Sequence, residues 1–373
     1  MNRYASGLSR HPEPAVAVAE AIGSVVDSVG VGPDLVVVMV SGAMAAHLPD
    51  AVETVTLLLQ PGNVLAVTAS GVLGGSEEVE NDSAIVVWAG HTGRVAPCRL
   101  ETLPGSPPLV TGLPTDIESG STLLVLADPY TFAVDALIDQ LAEDSAETAL
   151  AGGLASLGPA ANRLWLNGHQ FEDGAVGVIL PPGVVAPVVS QGCRPVGKPW
   201  TITASSGQMI QQLGGAPALD RLNEMVAELS TRDRLCASQG LHIGIVVNEQ
   251  STVFERGDFL IRGVLGADRE NGWVAVGAEV AVGQTVQFQV RDAASAHEDL
   301  EHLLPDTALA AGALVFTCNG RGAHLFAEPS HDAALISEAT TGGVAGMFCA
   351  GELGPIGQVN AVHGFTAMVL LFP

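Results

Sequence analysis

Three stretches of the chain share one pattern of apolar and polar positions. The first opens with an unbroken apolar run, Asp34 to Val40, then passes through Ser41-Gly42 into helical spacing near Asp50 to Leu59. A second run, Val64 to Thr68, leads into Ser70-Gly71-Val72-Leu73-Gly74-Gly75 and a third run, Ala84 to Trp88. The second stretch reads Thr122 to Ala127, Asp128-Pro129, a helix near Phe132 to Leu141 and a strand around Ala149. It continues with Gly152 to Gly158, a hairpin signal at Asn167-Gly168 and Ala175 to Leu180. The third reads Ala313 to Thr317, Cys318-Asn319-Gly320-Arg321-Gly322, a helix near His331 to Glu338 and Val344 to Phe348. It closes with Ala350-Gly351-Glu352-Leu353-Gly354-Pro355-Ile356-Gly357 and Phe365 to Phe372.

A run that is apolar at every position is a strand buried on both faces, and a helical crossover makes its flanking strands parallel. The pattern therefore predicts an α/β (mixed α+β) fold. Duplicated strand–helix–strand–Gly turn–strand units form two packed mixed-sheet domains. Residues 12–28, with Ala15, Ala19, Ile22, Val25 and Val26 at helical spacing, read as an amphipathic helix in an extension over 1–29. The remaining chain divides into domains 30–214 and 215–373, with the boundary at Gly214-Gly215. Before the third copy lie a predicted hairpin over 200–212 and a helix over 216–238. Strands follow at His242 to Val247, Phe259 to Val264, Trp273 to Val276 and Thr285 to Val290.

The pattern also locates a site. Parallel strands of a βαβ unit end at one edge of the sheet, where open α/β sheets bind ligands. In the third copy that edge collects Cys318, Asn319, Gly320, Arg321, Gly351 and Glu352, whereas the first offers Ser41 and Ser70 and the second Asp128 and Tyr130. Arg321 and Glu352 suit a zwitterion such as an amino acid, or else pair with each other. Cys318, Asn319 and His363 permit a Cys–His–Asn nucleophile.

Charge narrows the partners. Forty acidic residues against 15 basic ones leave a net charge of −25, which repels nucleic-acid backbones and anionic membranes. No apolar run is long enough to span a bilayer, so membrane insertion is not expected. The five cysteines are scattered, without a CxxC pair, which suits a reducing cytoplasm. Gly192 to Lys198 matches GxxxxGK, but Pro199 stands where a P-loop needs Ser or Thr, and a strand pattern follows. His297 and His302 are five residues apart, so on a helix their imidazoles diverge by about 140° and cannot share a metal.

Many of these segments together resemble the FIST sensory proteins, an N-terminal FIST region followed by a FIST C region. The resemblance is carried by Gly71-Val72-Leu73-Gly74-Gly75, Leu126-Ala127-Asp128-Pro129, Gly152-Gly153-Leu154-Ala155-Ser156, Asn162-Arg163-Leu164 and Asp173-Gly174-Ala175-Val176-Gly177. Ser190 to Gly197, which contains Arg194, belongs with them, as do Arg256 to Arg262, Phe316 to Gly322, Cys349 to Pro355 and His363-Gly364-Phe365-Thr366. The resemblance implies a stand-alone cytoplasmic sensor of a small ligand, an amino acid or other polar metabolite, that signals through a separate output protein. The resemblance itself assigns no functional residues; the ligand-binding residues expected from the sequence are Arg194, Cys318, Asn319, Gly320, Arg321, Gly351, Glu352 and His363. No cofactor or metal is expected, and an oligomer is allowed. Because some FIST members are haem-based sensors, a haem-binding gas sensor is one alternative, although the chain lacks CxxCH and only 4% of it is aromatic. A cysteine-dependent hydrolase or transferase is the other.

Overall fold

The computed structural model describes residues 3–251, 253–304 and 309–373. Two compact units are present: Met1–Val189 together with Leu300–Pro373, and Ser190–Asp299. The first unit contains all three copies. Copy one comprises β1 (Tyr4–Ser9), α1 (Pro14–Val29), β2 (Leu35–Ser41), α2 (Leu48–Leu59), β3 (Asn63–Ala69), β4 (Gly71–Gly74), β5 (Glu77–Glu80) and β6 (Ala84–Gly90). Copy two comprises β7 (Ala96–Leu103), β8 (Leu109–Thr111), β9 (Thr122–Ala127), α3 (Val134–Asp144), β10 (Ala149–Leu154), β11 (Leu164–Leu166), β12 (His169–Phe171) and β13 (Ala175–Leu180). Copy three opens with β14 (Ala186–Gln191), after which the chain builds the second unit.

That unit holds β15 (Cys193–Pro195), β16 (Trp200–Ser206), β17 (Met209–Leu213), β18 (Ala216–Pro217), α4 (Ala218–Glu228), α5 (Thr231–Gln239), β19 (Leu241–Val246), β20 (Phe259–Asp268), β21 (Trp273–Val276) and β22 (Thr285–Arg291). Its strands run β22-β16-β17-β21-β20-β19, and β19 pairs back onto β22, so the sheet closes into an antiparallel barrel. Closure leaves those six strands without a free edge. The single helix predicted over 216–238 is two, because Ser230 caps a new start by accepting the Asp233 N–H at 3.1 Å. Gly214-Gly215, where a domain boundary was expected, form the tight turn joining β17 to β18, both with positive φ. Helix α6 (Ala293–Leu303) precedes the rest of copy three: β23 (Gly312–Cys318), α7 (His331–Glu338), β24 (Val344–Cys349), β25 (Glu352–Ile356), β26 (Val359–His363) and β27 (Thr366–Phe372).

Each copy builds the same three-stranded core. Its two runs flanking the helix are parallel (β2 with β3, β9 with β10, β23 with β24), and its last run returns antiparallel beside the first. The Gly-rich segments, expected as turns, depart from the prediction. Gly71–Gly74 and Glu352–Ile356 are strands of hairpins, and in copy two β11 and β12 occupy the equivalent place. None of these hairpins completes the sheet of its own copy. The copy-one hairpin pairs with β24, the copy-two hairpin with β3 and the copy-three hairpin with β10. The exchange is cyclic, and each β4-, β11- or β25-type strand covers an edge that would otherwise expose unpaired N–H and C=O groups.

Strand β1, which the apolar pattern did not announce, pairs with β6 and carries Tyr4 into the core. There Tyr4 stacks at 5.5 Å on Trp88, and Phe372 lies 4.8–4.9 Å from both rings. Trp88 is fully buried, and its Nε1 donates to the Gly343 carbonyl at 3.1 Å. Trp88→Ala is expected to destabilise the fold by about 3–5 kcal/mol, since it opens a large cavity among aromatic side chains. Equilibrium denaturation of the two proteins measures the difference.

Candidate functional site

The edge logic of the three copies puts their strand ends in contact. Ser70, just after β3, donates its hydroxyl to Asn319 Oδ1 at 2.8 Å, and its N–H donates to Ser156 Oγ at 2.9 Å. Ser156, just beyond β10, donates in turn to the Phe348 carbonyl at 2.5 Å. Asn319 is held from behind, its own N–H donating to the Cys349 carbonyl at 3.0 Å. One residue from each copy thus meets in a single hydrogen-bonded string. A cleft of about 190 Å³ opens beside it, lined by Ser70, Gly71, Glu80, Asn81, Asn319, His324 and Phe348. Asn319 uses its carbonyl oxygen on Ser70, so its NH₂ group is left for whatever enters the cleft.

The wall of this cleft depends on the hairpin exchanged from copy one. Glu80 Oε1 accepts the Ala323 N–H at 2.8 Å, and Glu78 Oε1 accepts the Ala333 N–H at 3.0 Å in the first turn of α7. Carboxylates at those positions satisfy orphan donors and face the positive end of the helix. A side chain at Gly322 would be strained, since φ there is +57°, and would displace the Glu80 carboxylate, whose Oε1 lies 2.4 Å from where a Cβ would fall.

Beneath the loop the chain buries an unusual set of charges. Arg321 is 0% exposed and forms a bidentate pair with Asp332, Nε–Oδ2 at 2.7 Å and Nη2–Oδ1 at 2.9 Å. His331 Nδ1 lies 3.0 Å from the same carboxylate, and its ring stacks 3.5 Å from Phe326. Burial alone would raise the Asp332 pKa, but the Arg321 charge overrides it and holds the carboxyl well below its usual range. Glu352 is also fully buried; its Oε2 accepts the Thr366 hydroxyl at 2.7 Å. Burial pushes its pKa up to about 8, against the opposing Thr366 bonds and the Arg321 charge. Glu78 is raised to about 7 by burial and by the neighbouring Asp332 charge. Three buried polar atoms, Arg321 Nη1, Glu352 Oε1 and Glu78 Oε2, have no hydrogen-bond partner.

These facts redraw the expected site. Asn319 lines the cleft, between Cys318 at the end of β23 and Gly320 in the loop that follows. Arg321 and Glu352 neither pair with each other nor line the cleft, because Asp332 captures the first and Thr366 the second. Gly351 is buried between Leu154 and Val362, and its carbonyl accepts the Leu154 N–H at 2.9 Å. His363 is 4% exposed, with Nε2 3.0 Å from the Gly354 carbonyl. A buried imidazole whose Nε2 is turned to a backbone carbonyl does not offer that nitrogen to a haem iron. Arg194 belongs to the other compact unit and is engaged there by Asp292, at 2.8 Å, and Asp233. Asp128 of copy two is buried and bonded to Asn162 and Thr131. Among the described residues, no group of three or more His, Cys, Asp or Glu side chains could hold a metal ion, and no helix is long and apolar enough to cross a membrane.

Sequence reasoning missed Ser156, Glu78, Glu80, Asn81, His324 and Asp332. Glu77–Glu80 was visible only as a charged tetrapeptide, since nothing local says that copy one's hairpin docks on copy three. Asp332 carried the one readable signal, an acid in the first turn of α7.

A mixed-sheet α/β protein with three homologous-looking units and a cleft at their joined strand ends is the class that fold and site define. The chain belongs to the FIST family: the FIST N domain matches residues 34–216 and the FIST C domain residues 218–355. It is 41% identical to "Uncharacterized protein Mb0898c" of Mycobacterium bovis, covering 99% of this chain and 98% of that protein. It is 40% identical to "Uncharacterized protein Rv0628c" of Mycobacterium tuberculosis, covering 99% of each. FIST domains are associated with sensory signal transduction. The family boundary at 216–218 falls inside the barrel unit, so FIST N and FIST C each contribute part of that barrel.

Two stability predictions follow from the buried charges. Arg321→Ala would leave the buried Asp332 carboxylate without its guanidinium partner, with only His331 and Thr317 beside it, and chemical denaturation should show a loss of about 3–5 kcal/mol. Glu352 acts in the opposite sense with pH. Its folded pKa lies above its unfolded value, so the folded state binds the extra proton and stability falls as pH rises from about 4.5 towards about 8. Glu352→Gln should flatten that part of the stability–pH curve, as read from denaturation midpoints across the range.

Proposed function

We propose that the protein is a cytoplasmic sensor that binds a small polar metabolite in the Ser70–Asn319 cleft and signals through a separate output protein. The observation that carries this reading is a cleft between copies one and three, beside the hydrogen-bonded string that joins all three copies, whose polar groups are incompletely engaged. The Asn319 NH₂ group, the Asn81 amide, the His324 ring and Glu80 surround a space suited to a ligand of a few heavy atoms. An amino acid is the first candidate. Glu80 takes the ammonium, and the amides of Asn81 and Asn319 take the carboxylate, the role first expected of Arg321. Arg321, Asp332 and Glu352 position the loop and do not touch the ligand. Phe348 supplies the one apolar wall.

A thermal-shift screen of amino acids, amines and small carboxylates tests the reading. A hit should raise the melting temperature, and Asn319→Ala and Asn81→Ala should each weaken its binding roughly tenfold, the effect of losing one charge-assisted hydrogen bond. A confirmed ligand whose affinity is unchanged in both variants would place the binding site elsewhere.

A further inference from the structure

Cys318 and Cys349 are register partners at the ends of the parallel strands β23 and β24. Side chains of directly opposed residues project from the same face of a sheet, and that face is identified here. Phe316 and Met347, two residues earlier on each strand, are themselves register partners and lie in one core cluster with Cys349. A Cβ on Gly153, opposite this face, would fall 2.4 Å from Cys349 Sγ, 3.1 Å from Met347 and 3.2 Å from Phe316. Neighbouring strands lie about 4.8 Å apart, within the roughly 4.4–6.8 Å between Cα atoms that a disulfide spans. The Asn319 N–H, bonded to the Cys349 carbonyl at 3.0 Å, already clamps the two strand ends together.

We infer that Cys318 and Cys349 are a redox-active thiol pair that closes to a disulfide when the protein meets a two-electron oxidant of the peroxide class. Cys318 is half-buried, adjoins the cleft residue Asn319 and receives the Gly320 N–H on its sulfur at 3.4 Å, so it is the one that meets the oxidant. Cys349 is fully buried and resolves the product. In the first step the Cys318 sulfur attacks the peroxide, the O–O bond breaks, a sulfenic acid forms and one water leaves. In the second the Cys349 sulfur attacks the sulfenic sulfur, the S–O bond breaks, the S–S bond forms and a second water leaves. Two thiols have then supplied two electrons and two protons to the peroxide. The remaining cysteines lack such a neighbour: Cys98 opposes Gly177, Cys193 opposes Arg291 and Cys236 lies on α5. The consequence is local. A covalent tie at these two positions would stiffen the loop that carries Asn319, whether or not the cleft binds the proposed metabolite.

The test is to treat the folded full-length protein with hydrogen peroxide, block free thiols, digest without reductant and map the peptides by mass spectrometry. The expected product links the Cys318 and Cys349 peptides with the loss of two hydrogens, migrates as a single chain and reverts with dithiothreitol. Cys318→Ser should abolish it, and Cys349→Ala should leave a sulfenic acid at Cys318 that a dimedone probe traps. Linkage through Cys98, Cys193 or Cys236, a covalent dimer, or recovery of Cys318 and Cys349 only as free thiols would each overturn the proposal. The mapping of the unsubstituted protein decides the matter even if Cys349→Ala fails to fold.

Discussion

The constraint on which the first compact unit depends is the cyclic exchange of hairpins among its three copies. Each copy adds its first strand (β1, β7 or β14) to one side of its three-stranded core and leaves the other edge bare, and in each case the hairpin that covers that edge comes from another copy. A single copy in isolation would present unpaired backbone groups on one side and an unattached hairpin on the other. The exchange therefore makes the unit cooperative despite its internal repetition. It also explains why the candidate site draws on distant parts of the chain: Ser70, Ser156 and Asn319 become neighbours because their strands do.

The buried charges follow from the same arrangement. The copy-one hairpin brings Glu78 and Glu80 onto the loop between β23 and α7, where their carboxylates take backbone donors that would otherwise be unsatisfied. Inside that loop Arg321 and Asp332 form a desolvated ion pair. Such a pair adds little net stability over an apolar replacement, but it is costly to break and specifies one arrangement. We read it as the element that fixes the path of the Asn319 loop. The half-used hydrogen-bonding capacity of Arg321, Glu352 and Glu78 marks this region as tuned for something other than maximal stability.

Much of this was legible in the chain. The apolar runs at Asp34 to Val40, Thr122 to Ala127 and Ala313 to Thr317 mark strands buried on both faces, and the parallel crossover of copy three brings the Cys318 to Arg321 segment to the same edge as Gly351 and Glu352; that Cys318 and Cys349 are register partners is known only from the structure. The glycines misled in one respect. Gly71–Gly74 looked like a turn because small residues are common in turns, yet here they permit close approach of packed strands: a Cβ on Gly74 would meet Leu8 and Val86 within 3 Å. β1 and β7 were missed because their alternation is short or mixed with polar residues, and only pairing with β6 and β13 makes them strands.

What the sequence determined by itself was the repeated unit, the sense of its strand pairing, the acidic character and the family, because each is encoded in local periodicity or motif. The tertiary structure alone decided which copy receives which hairpin, which acid captures Arg321 and which side chains line the cleft. Those outcomes depend on contacts between residues as far apart as Glu78 and Ala333, and no local pattern distinguishes one distant carboxylate from another. Arg321 follows β23 and Glu352 opens β25, just after β24. Burial and competition for partners then determined what each could touch.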